Sequence, residues 1–158
     1  MNKTCFNGLW RVNKKGKFNV PFGRYKKPNF RDRENLYMVS VALQNTEVIC
    51  SDFSSVLEYA TPGSFVYLDP PYHPLSETSN FTSYTKDSFG KEEQIRLANV
   101  FRELDERNCN VMLSNSDTEF IKSLYKDFDI TVVYARRAIN SKGNKRGPVS
   151  ELVIRNYQ

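Results

Sequence analysis

One histidine and three cysteines in 158 residues leave little material for several common kinds of active site. With His73 as its only imidazole, the chain can build neither most zinc constellations nor the usual Ser-His triad. Cys5, Cys50 and Cys109 are few, odd in number and widely spaced. They read as reduced thiols of a cytoplasmic protein, not as a disulfide framework or a metal site. No run of about 18 apolar residues is present, and the N-terminus lacks a charged-then-apolar signal pattern, so no membrane span or secretory leader is expected. Internal repeats and low-complexity tracts are absent too. What remains, 39% apolar and 13% aromatic residues, suffices for one globular domain with a real core.

Acidic residues are scarce in one place only. Residues 1–33 hold ten Lys or Arg against a single acid, Asp32, whereas the other 125 residues carry thirteen basic and seventeen acidic groups. The two parts are electrostatically opposite. A basic segment interleaved with aromatics is the footprint expected for a polyanion. A solvated basic tail would lack apolar anchors, but here Phe6, Leu9, Trp10, Val12, Phe18, Val20, Phe22 and Tyr25 alternate with the charges. The pattern predicts an ordered basic hairpin with Lys14, Lys15 and Gly16 at its tip.

Residues 65–72 read Phe-Val-Tyr-Leu-Asp-Pro-Pro-Tyr. The first four suit a buried strand, and the prolines cannot continue its hydrogen-bond ladder. Asp69, Pro70, Pro71 and Tyr72 are therefore placed at the carboxyl end of a strand, where open α/β sheets form their ligand crevice. An exocyclic amine on an aromatic base is a poor nucleophile until acceptors hold its N–H groups. Asp69 can accept one of these and the Pro70 carbonyl, held by two fixed proline φ angles, the other. Tyr72 offers a face on which a base can stack, worth about 1 to 3 kcal/mol. A strand-terminating turn would use the same residue types, and His73 reads as a plain loop residue beside it.

Around this motif the elements alternate in the α/β manner. Leu36, Val39 and Leu43 recur at helical spacing, and Glu47 to Cys50 suggest a short strand ending at Asp52 and Phe53. Residues 73–90 read as a long polar loop, of a length common in lids and binding loops. A helix is expected from about Lys91 to Arg107 with Leu97, Phe101 and Leu104 on one face, then a strand at Val111 to Leu113. Ser116 and Glu119 suggest a capping box for a helix presenting Phe120, Leu124 and Phe128, leading into a strand at Ile130 to Tyr134. A Lys/Gly-rich loop, 141–147, then precedes the strand Glu151 to Arg155, which suits an antiparallel hairpin at a sheet edge.

Several blocks in order carry a resemblance. Cys5 to Asn13, Phe18 to Tyr25, Asp-Pro-Pro-Tyr at 69–72, Pro74 to Thr78 with Phe81, Thr82 and Tyr84, Leu113-Ser114-Asn115, and Glu151-Leu152 with Asn156-Tyr157 resemble the Dam-type (D12 class) DNA adenine-N6 methyltransferases. The likeness implies an α/β chain with a Rossmann-like methyltransferase sheet of order 3-2-1-4-5-7-6, S-adenosylmethionine as cofactor and double-stranded DNA as partner. It implies a catalytic tetrad at Asp69, Pro70, Pro71 and Tyr72, and a cofactor site at Asp52 and Phe53 together with Asp69. The implied target is the adenine of GATC, flipped out of the duplex. Arg11 then matches a guanine-reading position, Leu9 and Pro21 apolar recognition positions, Phe6 an aromatic wedge and Arg24 a phosphate contact. Asn7, Asn13 and Tyr25 belong to the same DNA-facing block.

Members normally also carry a Gly-rich F-x-G-x-G loop and a following acid, and neither occurs here. The sheet is accordingly expected to be incomplete, lacking two strands between Glu47 to Cys50 and the motif strand and leaving an unpaired edge. The chain is expected to be the C-terminal part of a longer enzyme, 1–33 a remnant of target recognition and 34–158 a partial catalytic domain, with a missing N-terminal fragment as partner. Two other readings stay open: a catalytically inactive DNA-binding remnant, and an amine methyltransferase acting on RNA or protein.

Overall fold

In a computed structural model, residues 4–13, 15–27, 31–75, 89–136 and 148–158 are described, Asn7 by its backbone only. The expectations for Lys14, for Ser76 to Tyr84 in the polar loop and for the loop 141–147 lie outside these residues. Two compact units emerge, Met1–Cys50 and Ser51–Gln158, a division later than the boundary at residues 33 and 34 that charge suggests.

In the first unit the chain doubles back on itself through two isolated antiparallel bridges, Cys5 with Phe22 and Val12 with Phe18, not through a continuous ladder. Backbone bonds from Phe6 to Pro21 (2.9 Å), from Gly23 to Thr4 (2.8 Å) and from Asn19 to Arg11 (3.1 Å) hold the two limbs. The turn between them is built by Asn13, whose Oδ1 accepts from the amides of Lys15 and Lys17 at 2.9 and 3.1 Å. Gly16 there takes φ +74°, which an L side chain rarely adopts. Gly23 is required by proximity, since a Cβ would stand 2.9 Å from the Cys5 carbonyl. Among the described residues of this segment only Cys5 and Val20 are buried, and Trp10 packs on Phe18 with ring centroids 5.2 Å apart.

Helix α1, Arg33–Ala42, begins where Asp32 accepts from the Asn35 amide and runs into a 3-10 turn at Leu43–Asn45. None of its residues is buried, so Leu36 and Val39 share helical spacing without a core to face. Glu47 to Cys50 form no strand. Strands exist as members of a ladder, and no described residue pairs with this exposed stretch.

The second unit is a four-stranded sheet with helices. After a 3-10 turn, Phe53–Ser55, and the short helix α2, Val56–Tyr59, come β1 (Phe65–Leu68), α3 (Lys91–Glu106), β2 (Asn110–Ser116), α4 (Glu119–Leu124), β3 (Asp129–Arg136) and β4 (Pro148–Arg155). The order is β1-β2-β4-β3. β1 and β2 are parallel, while β4 runs antiparallel to both β2 and β3, as the hairpin expectation has it. Among the described residues β1 pairs with β2 alone.

Register and periodicity build the core. Leu68 lies beside Leu113, Leu113 beside Ile154, and Asn115 beside Leu152, so one sheet face collects the alternate apolar side chains. Leu97, Phe101 and Leu104 of α3 close over that face and are fully buried or nearly so. Each such side chain contributes about 1.5 to 3 kcal/mol by leaving water. Ile121 and Tyr125 complete the layer, and Phe101 stacks edge-on against Tyr125 and Phe128. Phe128 reaches the core from beyond the helix, because α4 stops at Leu124. The cap of α4 also differs from the capping box expected at Ser116. Ser116 is engaged in β2, opposite Glu151, and Thr118 supplies the cap through its Oγ1 and the Ile121 amide at 3.3 Å. Among the described residues no helix is long and apolar enough to cross a membrane.

Candidate active site

Because β1 and β2 are parallel neighbours, their carboxyl ends lie at the same edge of the sheet. The chain leaves β1 at Asp69, next to Ser114, Asn115 and Ser116 of β2, and α3 starts at the same edge, which puts Gln94 in reach. Ser114 Oγ donates to Asp69 Oδ1 at 2.9 Å and lies 2.9 Å from the Tyr67 hydroxyl. One carboxylate oxygen of Asp69 is thus fixed, while the residue stays exposed.

The proline pair is held from behind. Gln94 Nε2 donates to the Pro71 carbonyl at 2.9 Å, and Asn115 Oδ1 accepts from the His73 amide at 3.0 Å. Among the described residues no group donates to the Pro70 carbonyl. His73 itself packs its ring on Phe120 at 4.8 Å, beside Thr118 Oγ1 at 3.4 Å from Nδ1, and burial lowers its pKa. His73 lies in the loop that follows the proline pair.

In front of Asp69 and the prolines lies a cleft of about 540 Å³, within the range of small-molecule sites. Its walls bring Asp69, Pro70 and Pro71 together with Asp52, Phe53 and Phe89. The rings of Phe53 and Phe89 are 5.8 Å apart. Residues 52 and 53 thus meet residues 69 to 71 across one hollow. Tyr72 does not line it. Burial pushes the Tyr72 phenol up, with the nearby Ser114 hydroxyl acting in the opposite direction.

Asp52 is heavily engaged. Arg96 donates to both of its oxygens, at 2.9 and 2.7 Å, and the Ser54 amide and hydroxyl add bonds of 3.0 and 2.6 Å. The Arg96 guanidinium holds its carboxyl well below the usual carboxylate range. Arg96 also pairs with Glu93 at 2.7 Å and is itself held above the ordinary guanidinium value, Asp52 being the main cause.

The DNA-facing candidates lie in the other unit. Phe6, Arg11, Pro21, Arg24 and Tyr25 are exposed, and Leu9 is half-buried. Arg11 donates from Nε to Asn19 Oδ1 (2.9 Å) and from Nη2 to the Asn19 carbonyl (3.1 Å). Asn13 uses its side-chain oxygen in the turn, and Tyr25 meets Phe22 edge-on at 6.5 Å. Arg24 sits at φ +57°, a left-handed conformation. Among the described residues no group of three or more His, Cys, Asp or Glu could hold a metal ion.

Sequence reasoning alone passes over Gln94, and it matches Ser114 and Asn115 to the family without giving them a role. The sequence does carry a signal for Gln94, an amide three residues before Leu97 on the apolar face of an otherwise regular amphipathic helix.

The family described as "D12 class N6 adenine-specific DNA methyltransferase" matches residues 1–139. A type II methyltransferase of Methanocaldococcus jannaschii, M.MjaIII, is 55% identical over 159 residues, covering 99% of this chain and 55% of that protein. The type II methyltransferase M1.LlaDCHI of Lactococcus lactis subsp. cremoris is 46% identical, covering 99% and 56%. The DNA adenine methylase of Escherichia coli (strain K12) is 44% identical over 153 residues, covering 97% and 55%. The chain spans about half the length of the curated relatives it matches. By this match over most of its length, the chain belongs to the D12 class of N6 adenine-specific DNA methyltransferases.

Proposed function

We propose that this chain carries the catalytic and target-reading portion of an enzyme that methylates N6 of a flipped adenine in duplex DNA, within GATC, using S-adenosylmethionine. The observation that carries the reading is the shared cleft, in which Asp52 and Phe53 face Asp69 and Pro70. The residue types suit the cofactor, Phe53 and Phe89 as aromatic faces for an adenine ring and Asp52 as a carboxylate for its polar edge, and Arg96, which lies over Phe53 and bonds both Asp52 oxygens, would have to move aside to admit it. S-adenosylmethionine, when bound, supplies an electron-poor methyl group.

The protein's part is to ready the amine. Asp69 and the Pro70 carbonyl accept the two N–H groups of the target, which localises the nitrogen lone pair and orients it. As the amine gains positive charge, the Asp69 carboxylate stabilises it. Ser114 keeps that carboxylate in one rotamer. Stacking of the everted base on Tyr72 requires the ring to present a face beside the cleft.

A Rossmann-like origin of the sheet is supported by its order. Read as 4-5-7-6, β1-β2-β4-β3 reproduces one end of the order 3-2-1-4-5-7-6, including the antiparallel strand in the penultimate place. Recognition is assigned to residues 1–33 and catalysis to 34–158. Two of the five N–H groups of Arg11 are engaged by Asn19, leaving Nη1 and the second Nη2 hydrogen to meet a guanine edge.

The test is methyl transfer to a GATC duplex and to a scrambled duplex, with and without a supplied N-terminal segment matching the remainder of the relatives. N6-methyladenine in GATC alone supports the reading. Binding of duplex with no transfer in either arm would instead favour the inactive DNA-binding remnant.

A further inference from the structure

Two carboxamides have no place in an apolar core unless they act on something, and Gln94 and Asn115 are both fully buried. Their hydrogen bonds form one chain. Asn115 Oδ1 accepts from the amides of His73 (3.0 Å) and Ser116 (2.8 Å), Asn115 Nδ2 donates to Gln94 Oε1 (3.0 Å), and Gln94 Nε2 donates to the Pro71 carbonyl (2.9 Å). The chain thus grips the backbone on both sides of Tyr72, at the carbonyl before it and the amide after it.

Counting acceptors shows the consequence. Of the two adjacent carbonyls in the proline pair, that of Pro71 is engaged and that of Pro70 has no donor among the described residues. Had the grip fallen one residue earlier, the acceptor needed for the amine would be occupied. Gln94 therefore selects which carbonyl remains open, and Asn115 fixes the orientation of Gln94 by taking its oxygen.

We propose that Gln94 and Asn115 are positioning residues that set the backbone of the Asp-Pro-Pro-Tyr segment, keeping the Pro70 carbonyl as the open acceptor beside Asp69. This deepens the methyltransferase reading and rests on it for its catalytic consequence, though the grip itself can be measured without catalysis.

Gln94→Glu separates positioning from packing. The variant keeps the size of the side chain and an oxygen for Asn115, but an ionised carboxyl has no hydrogen to give the Pro71 carbonyl. Burial raises a carboxyl pKa, so on lowering the pH the new group takes up a proton and donates again. In the full chain, the Pro71 carbonyl and His73 amide resonances of the variant should be displaced at about pH 8 and return to the wild-type positions at about pH 5. Gln94→Met, which can never donate, should be displaced at both. With the N-terminal segment supplied, kcat of Gln94→Glu should fall roughly ten-fold at the higher pH and recover with the resonances, KM for duplex unchanged.

Resonances that match wild type in both variants at both pH values would overturn the proposal. If Gln94→Glu does not fold, Gln94→Met decides alone by the same displacement. Displaced resonances in a chain whose wild type transfers no methyl group would uphold the grip and refute the proposed reaction instead.

Discussion

Arg96 lies with its guanidinium carbon 4.1 Å from the centre of the Phe53 ring while donating to both carboxylate oxygens of Asp52. The same side chain thus covers the ring and occupies the acid, two residues that line the cleft.

A pH dependence follows from that pair. The Asp52 carboxyl titrates below its ordinary value of 3.8, so on acidification the unfolded chain takes up the proton first. The stabilisation is complete above that ordinary value and is lost as pH falls through the lower folded-state pKa. Both groups are exposed and screened, so the effect is small. Thermal unfolding of wild type and Asp52→Asn should differ at neutral pH, and the difference should begin to shrink once the pH falls below the ordinary carboxylate value of 3.8 and go on shrinking with further acid. A difference that stays constant from neutral pH down to the most acid pH at which the chain folds would show that the carboxylate charge is not the cause.

Tyr125 is buried with no hydrogen-bond partner for its hydroxyl among the described residues. Removing an unsatisfied buried hydroxyl costs nothing in hydrogen bonds, so Tyr125→Phe should be neutral or stabilising by about 1 kcal/mol. Phe101→Ala, in contact with the same ring, should destabilise by about 3 to 5 kcal/mol through the cavity it leaves. Denaturant titration measures both. A large loss in Tyr125→Phe would mean that the hydroxyl is partnered in solution.

Asp69 and Ser114 should separate chemistry from folding. Asp69 is exposed, so Asp69→Asn should leave the melting temperature nearly unchanged while reducing methyl transfer by about 10² or more, since the amide cannot carry the compensating charge. Ser114→Ala frees the carboxylate rotamer and removes the hydroxyl shared with Tyr67, at about 1 kcal/mol of stability. Transfer should fall less than in Asp69→Asn. Equal rates in wild type and Asp69→Asn would contradict the assigned role.

The parts of this unit that can be read from sequence are those governed by one local period. Phe65–Leu68 and Lys91–Glu106 follow from a short apolar run stopped by prolines and from apolar residues at helical spacing. Glu47 to Cys50 has the composition of a strand but no partner, and pairing is not a local property. Thr118, not Ser116, caps α4 because β2 extends further than its apolar core implies. Asp52 and Asp69 are legible singly, each after an apolar stretch. That they share a cleft, and that Gln94 and Asn115 brace one side of it, depends on three elements meeting at one sheet edge.

The basic segment yields the last prediction, because phosphate contacts and base contacts respond differently to salt and to sequence. Arg24 is exposed, and if it is the phosphate contact that the resemblance implies, Arg24→Ala should weaken binding to GATC and scrambled duplexes alike and lower the salt slope by about 1. Arg11 presents a guanidinium already oriented by two bonds to Asn19, at 2.9 and 3.1 Å. Arg11→Ala should then cost about 1 to 3 kcal/mol on GATC and much less on the scrambled duplex, narrowing the preference between them. Asn19→Ala should produce a weaker version of the same loss, since it removes the bond from Arg11 Nε to Asn19 Oδ1 and leaves the bond to the Asn19 carbonyl and the charge. Fluorescence anisotropy over a range of salt concentrations measures all three. Uniform weakening by Arg11→Ala on both duplexes would make it a phosphate contact and remove the basis for reading a guanine there.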